Sequence, residues 1–261
     1  MNEIEVAYYW NENAPAWTML SRAGHDIYRD YLNSPAFFEI LPDINGHKGI
    51  DLGCGEGYNT RLLADRGAFV EAIDIAQGFI ENAKAMEREY PLGIKYYVAS
   101  ATALPFENER FDFATSFMCL MDVPLIEKVL VETFRVLRPG GFFQFSIEHP
   151  CFKTPYLKKL KDENGKTYAH EVGDYFSGTN GKVEEWIFGD APAEIKNRIP
   201  PFKIPTFHRT LSMYINTIIK AGFLIEQMNE PFPTEEAIQI KPKLHSAKAV
   251  SYFLQVRCRK P

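Results

Sequence analysis

The chain has 261 residues, a net charge of −5, and 46% hydrophobic and 24% charged residues, the proportions of a globular chain large enough for one sizeable domain. The acidic balance counts against nucleic acid as the main partner, since phosphate binding calls for clustered Lys and Arg, and no apolar run reaches the length of a bilayer span. Cys54, Cys119, Cys151 and Cys258 stand far apart, which points to neither a disulfide framework nor a metal site, and the start MNEIEVAYYW lacks a basic leader region, so a cytoplasmic location is the expectation.

Residues 1–47 are rich in aromatics, among them Trp10, Trp17, Tyr28 and Tyr31; a helix is expected from Ala14 to Leu32, with Pro35 and Pro42 punctuating the stretch between it and the first strand. From Lys48 the chain alternates between apolar runs and amphipathic stretches. KGIDLG reads as a buried strand and NTRLLADRG as a helix closed by Gly67. AFVEAID is a strand, and GFIENAKAMEREY a helix that ends before Pro91. IKYYVA and FDFATSF are the third and fourth strands, PLIEKVLVETFRVLR a helix with Pro124 in its first turn, and GFFQFSIE a fifth strand. This alternation means βαβ crossovers and a parallel sheet, with a ligand crevice at the carboxyl ends of the strands.

After Glu148 the rhythm breaks. Residues 149–207 hold many prolines and aromatics and no long periodic segment; Asn180-Gly181 in SGTNGKVEEWIF is a hairpin signal. TLSMYINTIIKAGF then gives a last helix capped by Gly222, and FLIEQMNE and AVSYFLQVRCR two final strands. One domain is expected, divided into 1–47, 48–148, 149–207 and 208–261.

The stretch GIDLGCGEGYNT puts a glycine turn directly after the first strand, the general plan of nucleotide-binding α/β domains. Its spacing is Gly53-x-Gly55-x-Gly57. Tyr58 stands where a dinucleotide fingerprint needs its third glycine, and no Walker lysine comes after Gly57. Asp51 adds negative charge where a pyrophosphate would be repelled and a ligand ammonium welcomed. Asp74 ends the second strand, nineteen residues after Gly55, where a carboxylate can accept from both hydroxyls of a ribose.

Gly53-x-Gly55-x-Gly57, Asp74, the ALPF turn, FDFATSF and RVLRPGGFF, in this order, resemble the class I S-adenosylmethionine-dependent methyltransferases, most of all their small-molecule, quinone-biosynthesis-like branch. The resemblance covers residues 45–148 strongly and 208–258 in outline. It implies a Rossmann-like, doubly wound α/β fold with a mostly parallel seven-stranded sheet, the last strand antiparallel, under an N-terminal helical lid. It also implies S-adenosylmethionine as cofactor. Carried over by position, Asp51 and the loop Gly53, Cys54, Gly55 and Gly57 would hold the methionine part, Asp74 with its neighbour Ile75 the ribose, and Ser100, Ala101 and Thr102 the adenine edge. Phe117 and Met118 would line the wall. Where the family often has an acid that accepts from the adenine amino group, this chain has Ser100.

Methyl transfer is an in-line displacement that needs positioning more than a protein nucleophile. His149, after the fifth strand, is a candidate general base, a substrate-orienting group or a backbone anchor. His208 and Arg209, ahead of the last helix, are a candidate catalytic group and a candidate carboxylate clamp, or surface groups at a helix start. Tyr175 and Trp186 either face a substrate or form the insertion's own core; Trp17 and Tyr28 either close over the cofactor and substrate or pack. LKKLKDENGK reads as a solvated surface. The reading is methyl transfer to a small-molecule acceptor, with residues 149–207 as a substrate cap. Its rivals are an NAD(P)-dependent Rossmann oxidoreductase, a cofactor-binding protein that transfers nothing, and a macromolecular acceptor.

Overall fold

The computed structural model describes residues 1–261, and the βαβ rhythm read from the sequence is its scaffold. The elements in chain order are α1 (Glu3–Arg22), a π-helical turn (Arg29–Asn33), α2 (Ser34–Glu39), β1 (Lys48–Leu52), α3 (Tyr58–Ala64), β2 (Phe69–Asp74), α4 (Gln77–Glu89), β3 (Lys95–Val98) and β4 (Phe111–Phe117). After them come α5 (Ile126–Val136), β5 (Leu137–Glu148), β6 (Tyr156–Lys161), β7 (Thr167–Gly173), β8 (Lys182–Trp186), α6 (Ala193–Lys196), β9 (Phe202–Thr206), α7 (Leu211–Lys220), β10 (Leu224–Asn229), α8 (Glu235–Ile240) and β11 (Phe253–Arg259).

One sheet runs β10-β11-β5-β4-β1-β2-β3. Its five strands from β1 to β5 are parallel neighbours, and β11 lies antiparallel between β5 and β10. The chain steps outward through β2 and β3, then returns to lay β4 on the other side of β1. That reversal opens a crevice at the carboxyl ends of β1 and β4. Both faces are covered, as a parallel sheet requires. Val129, Leu130 and Val136 of α5 and Ile218 of α7 pack on Ile50, Leu52, Phe143 and Phe145; Phe37 of α2, Leu63 of α3 and Ile80 of α4 pack on Val70, Ala72 and Phe113.

Three expectations need correcting. The first long helix runs over Glu3–Arg22 and not from Ala14 to Leu32. Asn2 and Glu5 form a reciprocal capping box at its start, and Gly24 takes φ 78° just past its end. Pro124 stands two residues ahead of α5, outside its first turn. Asn180 and Gly181 are both left-handed (φ 50° and 86°), yet they lead into β8, whose antiparallel partner is the distant β9.

Residues 149–207 hold two hairpins, β6 with β7 and β8 with β9. The second is fastened to α1: Asn13 Nδ2 donates to Lys203 O (2.9 Å), and Lys203 N donates back to Asn13 Oδ1 (3.0 Å). Trp17 sits among Trp186, Phe188 and Phe202 in the same seam, with ring centroids 4.8–5.4 Å away. No helix is long and apolar enough to cross a membrane.

Candidate active site

A cavity of about 1040 Å³ occupies the crevice, walled by α1, the β1–α3 loop, the ends of β2, β4 and β5, and the β6–β9 segment. Ligand sites generally span about 300–1,000 Å³, so this one has room for two small molecules side by side.

The floor is the glycine loop. Gly53 takes φ 70°, and a Cβ there would collide with Cys119 Sγ, so no other residue fits without moving the segment just after β4. Gly53 N and Cys54 N both donate to Ile73 O at 2.9 Å, which pins the loop over the end of β2. At Gly55 (φ 55°) the space a side chain would take is open.

Asp74 projects from the end of β2 into this loop. Its Oδ2 accepts from Gly55 N (2.9 Å) and its Oδ1 from Ala76 N (2.8 Å). A carboxylate has about four lone-pair sites, so about two remain for a ligand. Burial raises Asp74 to about 6 against the lowering pull of those amides. Asp51 is 1% exposed; its oxygens accept from Thr60 Oγ1 (2.6 Å) and Thr115 Oγ1 (2.9 Å), and burial raises it to about 7.

Ser100 carries no charge, but an acid reaches the same place from far away in sequence. Ser100 Oγ and Thr102 Oγ1 both donate to Glu3 Oε1 at 2.8 Å, and Glu3 lines the cavity from the first turn of α1. A second tie joins α1 to the loop: Arg22 Nε pairs with Glu56 Oε2 at 2.8 Å.

Cys54, Ile75, Ala101, Phe117, Met118, Trp17, Tyr28 and Trp186 line the cavity with the residues above. Met118 holds a left-handed backbone (φ 52°) at the end of β4, a strained conformation of the kind that collects at functional sites.

Six expected site residues lie elsewhere, each for a local reason. Gly57 makes the turn into α3: its φ is 84° and a Cβ would stand 2.6 Å from Tyr96 Oη. Thr102 gives its hydroxyl to Glu3 and does not itself line the cavity. His149 is 3% exposed; its Nδ1 accepts from Cys151 N (3.2 Å), so Nε2 carries the proton and donates to Glu230 Oε1 (2.7 Å). Burial lowers its pKa, and the base-like candidate is a neutral anchor behind the strand end. Strand alternation instead aims Glu148 at the cavity.

Tyr175 Oη accepts from Leu211 N (2.8 Å) at the start of α7, and His208 Nε2 donates to Tyr175 O (2.8 Å). Arg209 is 9% exposed and donates to the carbonyls of Val123 (2.5 Å), Pro124 (3.1 Å), Phe207 (3.2 Å) and Leu120 (3.5 Å). In this arrangement it clamps the backbone. Arg209→Met is expected to cost about 3 kcal/mol or more, because stranded buried carbonyls lose about 1–3 kcal/mol each. Urea unfolding measures this; an unchanged midpoint would show that the clamp is dispensable.

Cavity residues that sequence reasoning missed include Glu3, Asp122, Glu148, Lys153 and Tyr252. Spacing gave no signal for them, since each reaches the crevice through tertiary folding.

Against known proteins, the methyltransferase-domain family matches residues 50–145. An uncharacterized protein of Haemophilus influenzae is 27% identical over 243 residues, 89% of either chain. The ubiquinone/menaquinone biosynthesis C-methyltransferase UbiE of Rickettsia felis is 32% identical over 174 residues, 64% of this chain and 67% of that one. The crystal structure of an S-adenosylmethionine-dependent methyltransferase from Mesorhizobium loti superposes with a TM-score of 0.70 at 28% identity, covering 86% of this chain and 96% of the other. With the sheet order, the glycine loop and the cavity already described, these likenesses carry one conclusion: the chain belongs to the class I S-adenosylmethionine-dependent methyltransferases and uses that cofactor.

Proposed function

We propose that the protein transfers the methyl group of S-adenosylmethionine to a small molecule held in the same cavity. The observation that carries this is the cavity itself, large enough for cofactor and acceptor and walled on the acceptor side by the two hairpins of residues 149–207. The relatives named for ubiquinone and menaquinone biosynthesis act on small molecules, which supports an acceptor of that size here.

Asp74, with Ile75 beside it, holds the ribose hydroxyls on its remaining lone pairs. The backbone of Gly53, Cys54 and Gly55 approaches the methionine part, and Asp51 lies behind it as a negative charge for the ammonium. Ala101 and Ser100 border the adenine, with Phe117 and Met118 as wall. The acid expected at position 100 is supplied by Glu3, whose second oxygen is free to accept from the adenine amino group. Trp17, Tyr28 and Trp186 close the acceptor side. The cofactor supplies an electrophilic methyl carbon, so the chain's task is to orient two ligands and exclude water.

Calorimetry tests the division of labour. Glu3→Gln is expected to weaken S-adenosylmethionine about tenfold, the value of one charge-assisted hydrogen bond. Trp186→Ala is expected to leave that affinity within about threefold and to slow transfer, because its ring belongs to the acceptor wall. If Glu3→Gln binds like the parent, adenine is read by other groups.

A further inference from the structure

We propose that Asp122, backed by Glu148, receives the acceptor's proton, and that the acceptor presents an O–H or N–H group to it. This rests on the reading above and gives it a substrate class. Asp122 ends the single helical turn Leu120–Asp122 that comes after β4, where its N–H donates to Cys119 O at 2.9 Å. It is only 6% exposed, yet its carboxylate has neither a hydrogen-bond nor an ion-pair partner, and it lines the cavity. Glu148, at the end of β5, faces the same space and is likewise unpartnered. A buried carboxylate without a partner is costly, and such a group is retained where a ligand completes it.

The charged and titratable groups around Asp122 come from every neighbouring element. They are Cys119, Glu148, Lys153, Glu184 of β8, and Arg209 and Tyr214 from α7 and its approach. Lys153 Nζ is bonded to Glu184 Oε2 at 2.7 Å, and Arg209 is occupied by backbone carbonyls, so neither pairs with Asp122. Burial first, and then the charge of Glu148, push the Asp122 carboxyl well above the usual range. Asp74 is near enough to Cys119 that, after burial, its charge and that of Asp122 both raise the thiol. The cavity thus holds two carboxylates, Asp74 on the cofactor side and Asp122 as the one left for the acceptor, with Cys119 lining the same space.

The step balances without a further reactant. The acceptor's oxygen or nitrogen forms a bond to the methyl carbon, the carbon–sulfur bond breaks with its electron pair left on sulfur, and the acceptor's proton passes to Asp122. The raised carboxyl must first be ionised, so transfer should rise as pH increases through its titration.

The geometry can be tested before the acceptor is known. Sinefungin bears an amine where S-adenosylmethionine bears its transferable methyl. Calorimetry would compare it with S-adenosylhomocysteine on the parent, Asp122→Asn and Glu148→Gln. The parent should prefer sinefungin by about tenfold or more, increasingly so as pH rises through the Asp122 titration, as expected for a charge-assisted pair. Asp122→Asn should reduce that preference to within about threefold while leaving S-adenosylhomocysteine affinity within the same margin. At a pH above the Asp122 titration it should also raise the melting temperature of the empty protein, since it there removes an unpaired buried charge. An intact sinefungin preference in Asp122→Asn overturns the assignment and leaves cofactor binding standing. Failure of the parent to bind S-adenosylmethionine or S-adenosylhomocysteine would overturn the cofactor reading itself. Glu148→Gln is the second variant should Asp122→Asn fold poorly; a preference it leaves untouched speaks against the pair.

Discussion

Asp74→Asn is expected to weaken S-adenosylmethionine binding by about 100-fold, or about 3 kcal/mol. Each charge-assisted hydrogen bond contributes about 1.5–3 kcal/mol, and a ribose offers two hydroxyls to this carboxylate. Asparagine keeps one oxygen but must turn its NH₂ toward either Gly55 N or Ala76 N, both of which now donate to the carboxylate at 2.9 and 2.8 Å. Part of the loss will therefore come from a loosened loop. A melt of the empty variant reports that part, and calorimetry reports the whole. Parent-like affinity would mean that the ribose lies away from the end of β2.

Cofactor affinity should also fall as pH drops from 8 to 5, by on the order of tenfold from Asp74 alone and by more with Asp51 included. Burial raises these carboxyls from 3.8 to about 6 and about 7. Between 3.8 and those values the folded protein holds protons that an unfolded chain would release. Its stability therefore declines as pH rises through that window. A ligand that brings an ammonium and two hydroxyl donors requires the ionised forms, so binding at low pH must expel protons. The thermal shift given by S-adenosylmethionine should be largest near pH 8 and shrink toward pH 5. Calorimetry in buffers of different ionisation enthalpy should register proton release near pH 6. A flat profile would mean that neither carboxylate meets the ligand.

Much of this was legible in the sequence, because the parallel sheet writes itself as apolar runs separated by amphipathic helices, and because glycines at Gly53 and Gly55 leave a backbone signature. What escaped depends on distance or on phase. Glu3 meets Ser100 across 97 positions, which no local pattern encodes. The strand GFFQFSIE is buried on both faces, so its sequence carries no in–out alternation to say whether Glu148 or His149 faces the crevice; a shift of one residue exchanges them. YLKKLK is polar enough on both faces to read as a solvated surface, yet it forms β6 by pairing with β7, and Lys159 and Lys161 reach the cavity. Tyr175, His208 and Arg209 look like ligand groups because they are polar and aromatic near a crevice. Their partners are the start of α7 and backbone carbonyls, and those appear only once the chain has folded.

The most direct measurement incubates the protein with methyl-labelled S-adenosylmethionine and a cell extract, then separates small molecules from protein and RNA before counting label. Label in a small-molecule product, lost with Asp74→Asn and reduced with Asp122→Asn, is the expected result. Label confined to protein or RNA would contradict a small-molecule acceptor in this cavity.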